Sequence, residues 1–323
     1  MLRGYRCVAG RLERVETLPP DLRGLVWLDL VDPDREEERL VEQALGIDVP
    51  TREEMAEIEI TSRLYHEDGA AFMTALLPAH TEGERPIAAP VTFVLAGDRL
   101  VTIRMHEPRA FRLFPSRVER LEVDCTDGER VLFGLLEAIV DRLADILETA
   151  GVDIDALSAR VFHQPEGPPM PTEALRETVR ALGRDGDLLA KLHASLANLE
   201  RLLGFLGQVT QQRDTPKETR ARLKPLQRDV HSLMEHVAFL DQKIAFLLDA
   251  TLGLVNIEQN AIIKIVSVAA VVFLPPTVVA SIYGMNFDHM PELHWALGYP
   301  FALVLMVASA VLPYWLFRRK GWL

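Results

Sequence analysis

Cysteine is scarce in this chain: Cys7 and Cys125 are the two among 323 residues. Two cysteines cannot build a disulfide scaffold, and this pair has no metal-binding spacing. Positive charge is also in short supply. Against 35 Lys and Arg stand 47 Asp and Glu, a formal charge of −12. That balance argues against a nucleic-acid partner, whose grip rests largely on neutralising phosphates. There is no Gly-rich phosphate loop and no nucleophile elbow, so phosphoryl or acyl transfer has no visible seat. The opening stretch MLRGYRCVAGRLERVE has no apolar core, and a cleavable signal peptide is not expected. What remains is a globular composition, 49% hydrophobic and 25% charged, long enough for two domains. Its mean hydropathy of +0.09 is high for so charged a chain and hides two unlike parts.

The hydrophobicity is concentrated near the end. Ile262–Tyr283, IIKIVSVAAVVFLPPTVVASIY, has 22 residues and one charge, Lys264. Tyr299–Phe317, YPFALVLMVASAVLPYWLF, has 19 residues and none. About 20 apolar residues cross a bilayer as a helix, so two transmembrane spans are expected, in contact with lipid. Arg318, Arg319 and Lys320 follow the second span, whereas the loop 284–298 has no Lys or Arg and carries Asp288 and Glu292. Positive residues stay on the cytoplasmic side. Both termini are therefore expected inside and the loop outside, across a bacterial inner membrane. Trp295, Tyr299, Tyr314, Trp315 and Trp322 lie near the span ends, where interfacial aromatics anchor.

Four basic and two acidic residues lie from Ile262 onward, so the part before it holds 31 basic and 45 acidic residues, a charge of −14. Residues 1–126 alternate short strand and helix patterns. Strands are expected at Arg11–Glu16, Leu25–Leu30, Ala70–Pro78, Val91–Ala96 and Leu100–Met105, the last two joined by the turn Gly97-Asp98-Arg99. Asp32-Pro33 opens a helix that stops at Gly46, and Thr51 with Glu54 forms a capping box. This is an α/β domain with a mixed sheet and flanking helices. Residues 127–215 read as two long antiparallel helices, Glu129 to about His163 and Thr172 to about Arg213, separated by the proline-rich stretch 164–171. A stalk helix is expected over 216–261, running unbroken into the first span at 262–283. The loop 284–298, the second span 299–317 and a basic tail 318–323 complete the layout.

Phasing separates the faces of the first span. Alternating steps of four and three from Asp249 give Gly253, Asn256, Asn260, Ile263, Ser267, Ala270, Leu274, Thr277 and Ser281. Every polar uncharged residue of the span before Tyr283 lies on this stripe. Small residues let helices pack closely, and a polar wall can face water or ions. Continuation into Asn260, Asn256 and Asp249 tilts the reading toward a pore. One stripe per helix cannot enclose a pore, so several copies around an axis are required, and closed oligomers are mostly cyclic.

The first span closes on Tyr283-Gly284-Met285-Asn286. Gly284 is expected to take the left-handed conformation that ends helices. Helix C-termini converging on an axis favour a cation, at about half a charge each. Asn286 would add a neutral amide oxygen. Mg²⁺ dehydrates reluctantly, and neutral acceptors can hold its water shell without stripping it.

Tyr283-Gly284-Met285-Asn286 followed by Phe287-Asp288-His289-Met290-Pro291-Glu292-Leu293 resembles the YGMN and F-x-x-MPEL signature of the CorA family of divalent cation channels. Phe273-Leu274-Pro275-Pro276-Thr277, Asn256-Ile257-Glu258-Gln259-Asn260 and the basic end Arg318-Arg319-Lys320 look like its proteobacterial branch. The close match covers about Leu248–Leu323; the rest agrees in layout, with echoes such as Val26-Trp27-Leu28-Asp29-Leu30. The resemblance implies a homopentameric funnel carrying Mg²⁺, with Co²⁺ and Ni²⁺ also transported, no organic cofactor and no enzymatic activity. It implies a selectivity entrance at Gly284, Met285 and Asn286, pore-lining positions Thr277, Leu274, Ile263 and Asn260, and an acidic ring at Asp249; the stripe adds Ala270, Ser267 and Asn256 to the expected lining. By their charge Asp288 and Glu292 would draw cations to the mouth, or Glu292 would brace the loop; the family favours a basic collar of Lys264, Arg318, Arg319 and Lys320, with a snorkelling anchor as the alternative for Lys264. Asp229 resembles a carboxylate that binds regulatory Mg²⁺ between neighbouring cytoplasmic domains. The related ZntB branch, a Zn²⁺ transporter of the same architecture, is the alternative; the full MPEL loop favours the first. His163, His193, His231 and His236 lack metal-ligand spacing and are expected to be structural or solvated.

Overall fold

The computed structural model describes residues 1–81, 83, 86–121, 124–162, 171–285, 290–291 and 295–320. Two compact units divide the chain. The first takes in everything described up to Phe162, then Glu177–Leu248; the second takes in residues 171–176 and the chain from Asp249 onward.

The first unit is built on seven strands: β1 (Leu2–Val8), β2 (Arg11–Val15), β3 (Trp27–Val31), β4 (Leu64–Glu67), β5 (Ala70–Ala79), β6 (Ile87–Ala96) and β7 (Arg99–Arg104). Their spatial order is β2-β1-β3-β7-β6-β5-β4. β3 and β7 pair in parallel, and the remaining described pairs are antiparallel. The expected mixed sheet is present, with β1 and β4 as additions. β1 carries Arg3 and Arg6 and reads as polar, but its Tyr5 ring stacks on Trp27 at 4.4 Å.

Local chemistry sets the connections. Asp34 caps α1 (Arg35–Leu45), with Glu37 completing a capping box, and Gly46 ends the helix at φ 65°. Thr51 and Glu54 form the second capping box, at α2 (Arg52–Ala56). Each such cap stabilises its helix by ~1 kcal/mol. Gly97-Asp98 turns β6 into β7, with Ala96 paired to Arg99. α3 (Ile60–Arg63) leads into β4, and α4 (Arg109–Leu121) follows β7.

Both sheet faces are covered, which is why β5 is buried at nine of its ten positions. Leu28, Leu30, Phe72, Val94, Val101 and Ile103 form one core with Val41 of α1 and Met55 of α2. Trp27, Met73, Phe93 and Leu100 form the other with Phe111 and Phe114 of α4. That core continues through α5 (Gly128–Phe162), α6 (Thr172–Gln212) and the start of α8 (Leu223–Tyr283) as far as Leu247. Asp124 to Gly128 enters α5 closely: the Gly128 N–H donates to the Asp98 carbonyl at 2.7 Å.

The second core encloses an ion pair. Asp29 on β3 is 1% exposed and Arg104 on β7 is 0% exposed. Arg104 Nε and Nη2 donate to the two Asp29 oxygens at 2.9 and 2.8 Å. Thr102 donates to Asp29 at 2.8 Å and accepts from Trp27 Nε1 at 2.9 Å. Arg104 Nη1 reaches Glu107 at 2.8 Å, and the guanidinium lies over the Phe111 ring. Burial would raise the Glu107 carboxyl, but Arg104 and Arg3 win and hold it below its ordinary value.

The expected helix from Lys217 to Tyr283 runs over its 67 residues with one local irregularity at Arg222, which keeps right-handed helical φ and ψ. α7 (Lys217–Ala221) ends at Arg222 before α8 begins. Pro225 lies four residues after Ala221, and its missing N–H leaves the Ala221 carbonyl without a helical donor. Pro275 and Pro276, by contrast, lie inside α8 without ending it. Most of the proline-rich stretch 164–171 lies outside the described residues.

Candidate ion pathway

The second unit contributes α8 from Asp249 onward and α9 (Gly298–Arg319). Both helices are long and apolar enough to cross a membrane. The stripe Asp249, Gly253, Asn256, Asn260, Ile263, Ser267, Ala270, Leu274, Thr277 and Ser281 is exposed at every position. Ile263 and Leu274, the large apolar members, are 60% and 61% exposed. The half-buried positions Val268, Val272, Pro275, Pro276, Val279 and Tyr283 recur at helical spacing instead. They centre roughly 160° around the helix from the stripe, at 3.6 residues per turn. α9 has its own covered stripe: Ala302, then Met306, Ser309, Ala310, Pro313 and Phe317. The second unit thus keeps its small-and-polar stripe on the open side of α8.

Two prolines shape this segment. Pro275 and Pro276 offer no N–H to the carbonyls of Val271 and Val272. Thr277 Oγ1 donates back to the Phe273 carbonyl at 2.7 Å. Backbone acceptors without helical donors are tolerated at membrane depth where protein or a water-filled cavity surrounds them.

The end of α8 departs from expectation. Gly284 is not left-handed; positive φ occurs at Gly10, Gly24, Gly46, Gly69 and Gly97 among the described glycines. Its N–H donates to the Ala280 carbonyl at 2.9 Å, and Met285 N–H to Ile282 at 3.3 Å. Helical hydrogen bonding thus reaches one residue past Tyr283 and tightens at Met285. A Cβ here would sit 3.0 Å from the Ala280 oxygen, a tight contact within the last turn. Met285 is exposed. Asn286, Asp288, His289, Glu292 and His294 lie outside the described residues.

Basic side chains mark the other end of α9. Arg318, Arg319 and Lys320 are exposed, with Arg319 over the Trp315 ring at 5.4 Å. Lys264 is exposed on α8. Asp229 is exposed in the first unit. His231 stands between Glu200 and Glu235, at 3.5 and 3.8 Å. Among the described residues no group of three or more His, Cys, Asp or Glu is placed to hold a metal ion.

The family model for the CorA-like Mg²⁺ transporter protein matches residues 23–319. The chain belongs to the CorA family. The magnesium transport protein CorA of Haemophilus influenzae is 37% identical over 325 residues, covering 100% of both chains. The complete CorA magnesium transporter structure from Methanocaldococcus jannaschii matches 100% of this chain and 99% of its own, with a TM-score of 0.77 at 21% identity. The CorA fold thus extends over the α/β domain, the long helix and the C-terminal hairpin. The cytoplasmic domain of ZntB from Vibrio parahaemolyticus matches 77% of this chain and 95% of its own, with a TM-score of 0.53 at 11% identity. That is a likeness of fold alone, so the Mg²⁺ branch is favoured over the Zn²⁺ branch.

Sequence reading missed the Asp29–Arg104 pair. Two opposite charges in apolar strands of parallel neighbours were its only signal, and strand pairing is not written in either segment alone.

Proposed function

We propose that this chain assembles as a homopentamer in the bacterial inner membrane and conducts Mg²⁺ into the cell, with Co²⁺ and Ni²⁺ also carried. The observation that supports this best is the exposed stripe on α8, opposite the half-buried face, in a chain of the CorA family. With one α8 from each subunit around an axis, Thr277, Ser267, Asn260, Asn256 and Asp249 meet water. Leu274 and Ile263 narrow the path between them, and Ala270 leaves room for the helices to approach. Both termini lie in the cytoplasm, where Lys264, Arg318, Arg319 and Lys320 form a collar.

The residues divide the work by chemistry. At the outer mouth Asp288 and Glu292 raise the local cation concentration. Gly284 and Met285 bring Asn286 to the axis, and its amide oxygen hydrogen-bonds the hydrated ion. A carboxylate at that position would hold the ion more tightly and slow its release. Leu274 and Ile263 form a hydrophobic constriction that conducts when wetted.

Gating follows from the acidic first part of the chain, at −14 before Ile262. When cytoplasmic Mg²⁺ is high, ions bridge carboxylates of adjacent subunits, Asp229 among them, and hold the ring closed. When it falls, mutual repulsion loosens the ring. This requires Mg²⁺ to bind the closed state better than the open one.

Rescue of a Mg²⁺-requiring bacterial strain tests the reading. The wild-type chain should restore growth at low Mg²⁺ and Asn286→Ala should not. Equal rescue by both would remove Asn286 from the mechanism, and Zn²⁺ uptake without Mg²⁺ uptake would move the chain to the zinc branch.

A further inference from the structure

Three cations share a groove that no carboxylate enters. The groove lies between the end of α6 and the start of α7 and α8, with a volume of about 620 Å³. That is within the range of small-molecule sites. Lys217, Arg220 and Lys224 line it, and no Asp or Glu does so among the described residues. Their spacing of three and four residues sets them on one helical face, because Arg222 between α7 and α8 keeps right-handed helical φ and ψ. Like charges so placed repel unless an anion answers them. The crowding is the more unusual in a chain whose part before Ile262 carries −14.

Neighbouring cations are satisfied and these are not. Arg222 donates twice to Glu137, at 2.9 and 2.8 Å. Among the described residues of this unit, the ion-paired lysines are Lys191, with Asp187, and Lys243, with Asp155. Arg220 Nη2 donates to the Thr215 carbonyl at 3.0 Å, while its Nε is out of water and has no partner. A buried charged donor without an acceptor is costly. The frame around it is fixed: Thr215 Oγ1 donates to Glu129, and Thr219 of α7 is buried. Gln208 and Gln211 add amide donors to the lining. Gly204 opens the floor, because a Cβ there would meet no atom within 4 Å.

We propose that this groove binds a small molecule bearing a chain of two or three phosphates. The Arg220 fork donates to phosphoryl oxygens, and the two lysines act as point charges along the chain. The bound anion joins the end of α6 to α7 and the first turn of α8. A lipid headgroup is out of reach: Leu248 lies about 36 Å further along α8 than Lys224, and the apolar span begins later still in the chain. An inorganic phosphate chain and a nucleotide share this chemistry, and the experiment separates them.

Calorimetric titration of the full-length protein in detergent tests this, with free Mg²⁺ held constant because phosphates chelate it. ATP and inorganic tripolyphosphate are the probes. Saturable binding is expected, with slower hydrogen exchange across residues 204–227. Lys217→Gln combined with Lys224→Gln should weaken binding about a hundredfold, roughly tenfold for each charge-assisted bond. Gly204→Leu fills the groove and improves the helix, so binding should vanish with the thermal midpoint at or above that of wild type. Lys191→Gln, on α6 outside the groove, should bind as wild type does. Tighter binding of ATP assigns the site to nucleotides, and equal binding assigns it to the phosphate chain alone. No saturable binding of either probe at millimolar concentration, or undiminished binding in the double variant or in Gly204→Leu, would overturn the proposal.

Discussion

Replacing Asp29 by Asn keeps the side chain's size and removes the charge that matches Arg104. Both residues are almost wholly buried, and Arg104 spends two of its donors on Asp29. Breaking a buried pair by removing one partner costs ~3–5 kcal/mol, because the remaining charge stays in a poor solvent. Glu107 still holds Arg104 Nη1 at 2.8 Å, but it is 38% exposed and its charge is screened by water. The low end, about 3 kcal/mol, is therefore expected. That equals roughly two powers of ten in an opening equilibrium. Hydrogen exchange of the amides in Trp27–Val31 and Arg99–Arg104 reads it directly, in the unit concerned. Exchange about a hundredfold faster is expected for Asp29→Asn. Asp29→Leu combined with Arg104→Met, which removes both charges, should lose less than the single change. A single variant within about threefold of wild type, or a double variant worse than the single, would refute the reasoning.

Other outcomes follow from neighbouring features. Burial, with Arg104 and His80 adding to it, holds the His106 imidazole below its ordinary value of 6.5. The folded state then binds fewer protons than the unfolded chain, so stability is full above 6.5 and falls as pH drops below it. His106→Gln should flatten the thermal midpoint between about pH 7 and 5. A Cβ on Gly128 would lie 2.2 Å from the Leu100 nitrogen and 2.3 Å from the Arg99 carbonyl carbon. Both are backbone atoms that cannot swing aside, so Gly128→Ala should cost at least the ~3 kcal/mol top of the overpacking range and lower the yield of folded protein. Leu274→Asn should wet the constriction and raise Mg²⁺ entry at high internal Mg²⁺, measured in proteoliposomes with an ion-sensitive dye. Chelating Mg²⁺ from the wild-type protein should raise single-channel open probability; an unchanged value would sink the sensing step.

The parts of this fold that were legible in the sequence are those fixed by neighbours along the chain. The Thr51–Glu54 capping box, the Gly46 stop and the Gly97-Asp98 turn need only a few adjacent residues, whereas the first helix is capped by Asp34 with Glu37 rather than at Asp32-Pro33. The spans were legible because length and lack of charge suffice. The pairing of Asp29 with Arg104 depends on which strands lie side by side, and neither segment encodes that alone. β1 was hidden by its arginines, which reach Glu107 and Glu13 while Tyr5 packs inward. At Gly284 the residue type was read as a freedom of φ, whereas the backbone there does not take positive φ and the Gly284 N–H continues the helical bonding to Ala280. The stripe on α8 was visible in sequence as a pattern; its exposure opposite the half-buried face required the fold.

A chain that conducts Mg²⁺ must open a path for the ion through a membrane with no other protein present. Purified full-length protein in liposomes loaded with a Mg²⁺-sensitive dye, with a Mg²⁺ gradient directed inward and the interior negative, measures that path alone. Mg²⁺ entry well above that of empty liposomes is expected, and entry near the empty-liposome rate is expected for Asn286→Ala. Wild-type entry no faster than in empty liposomes, at low internal Mg²⁺, would contradict the claim.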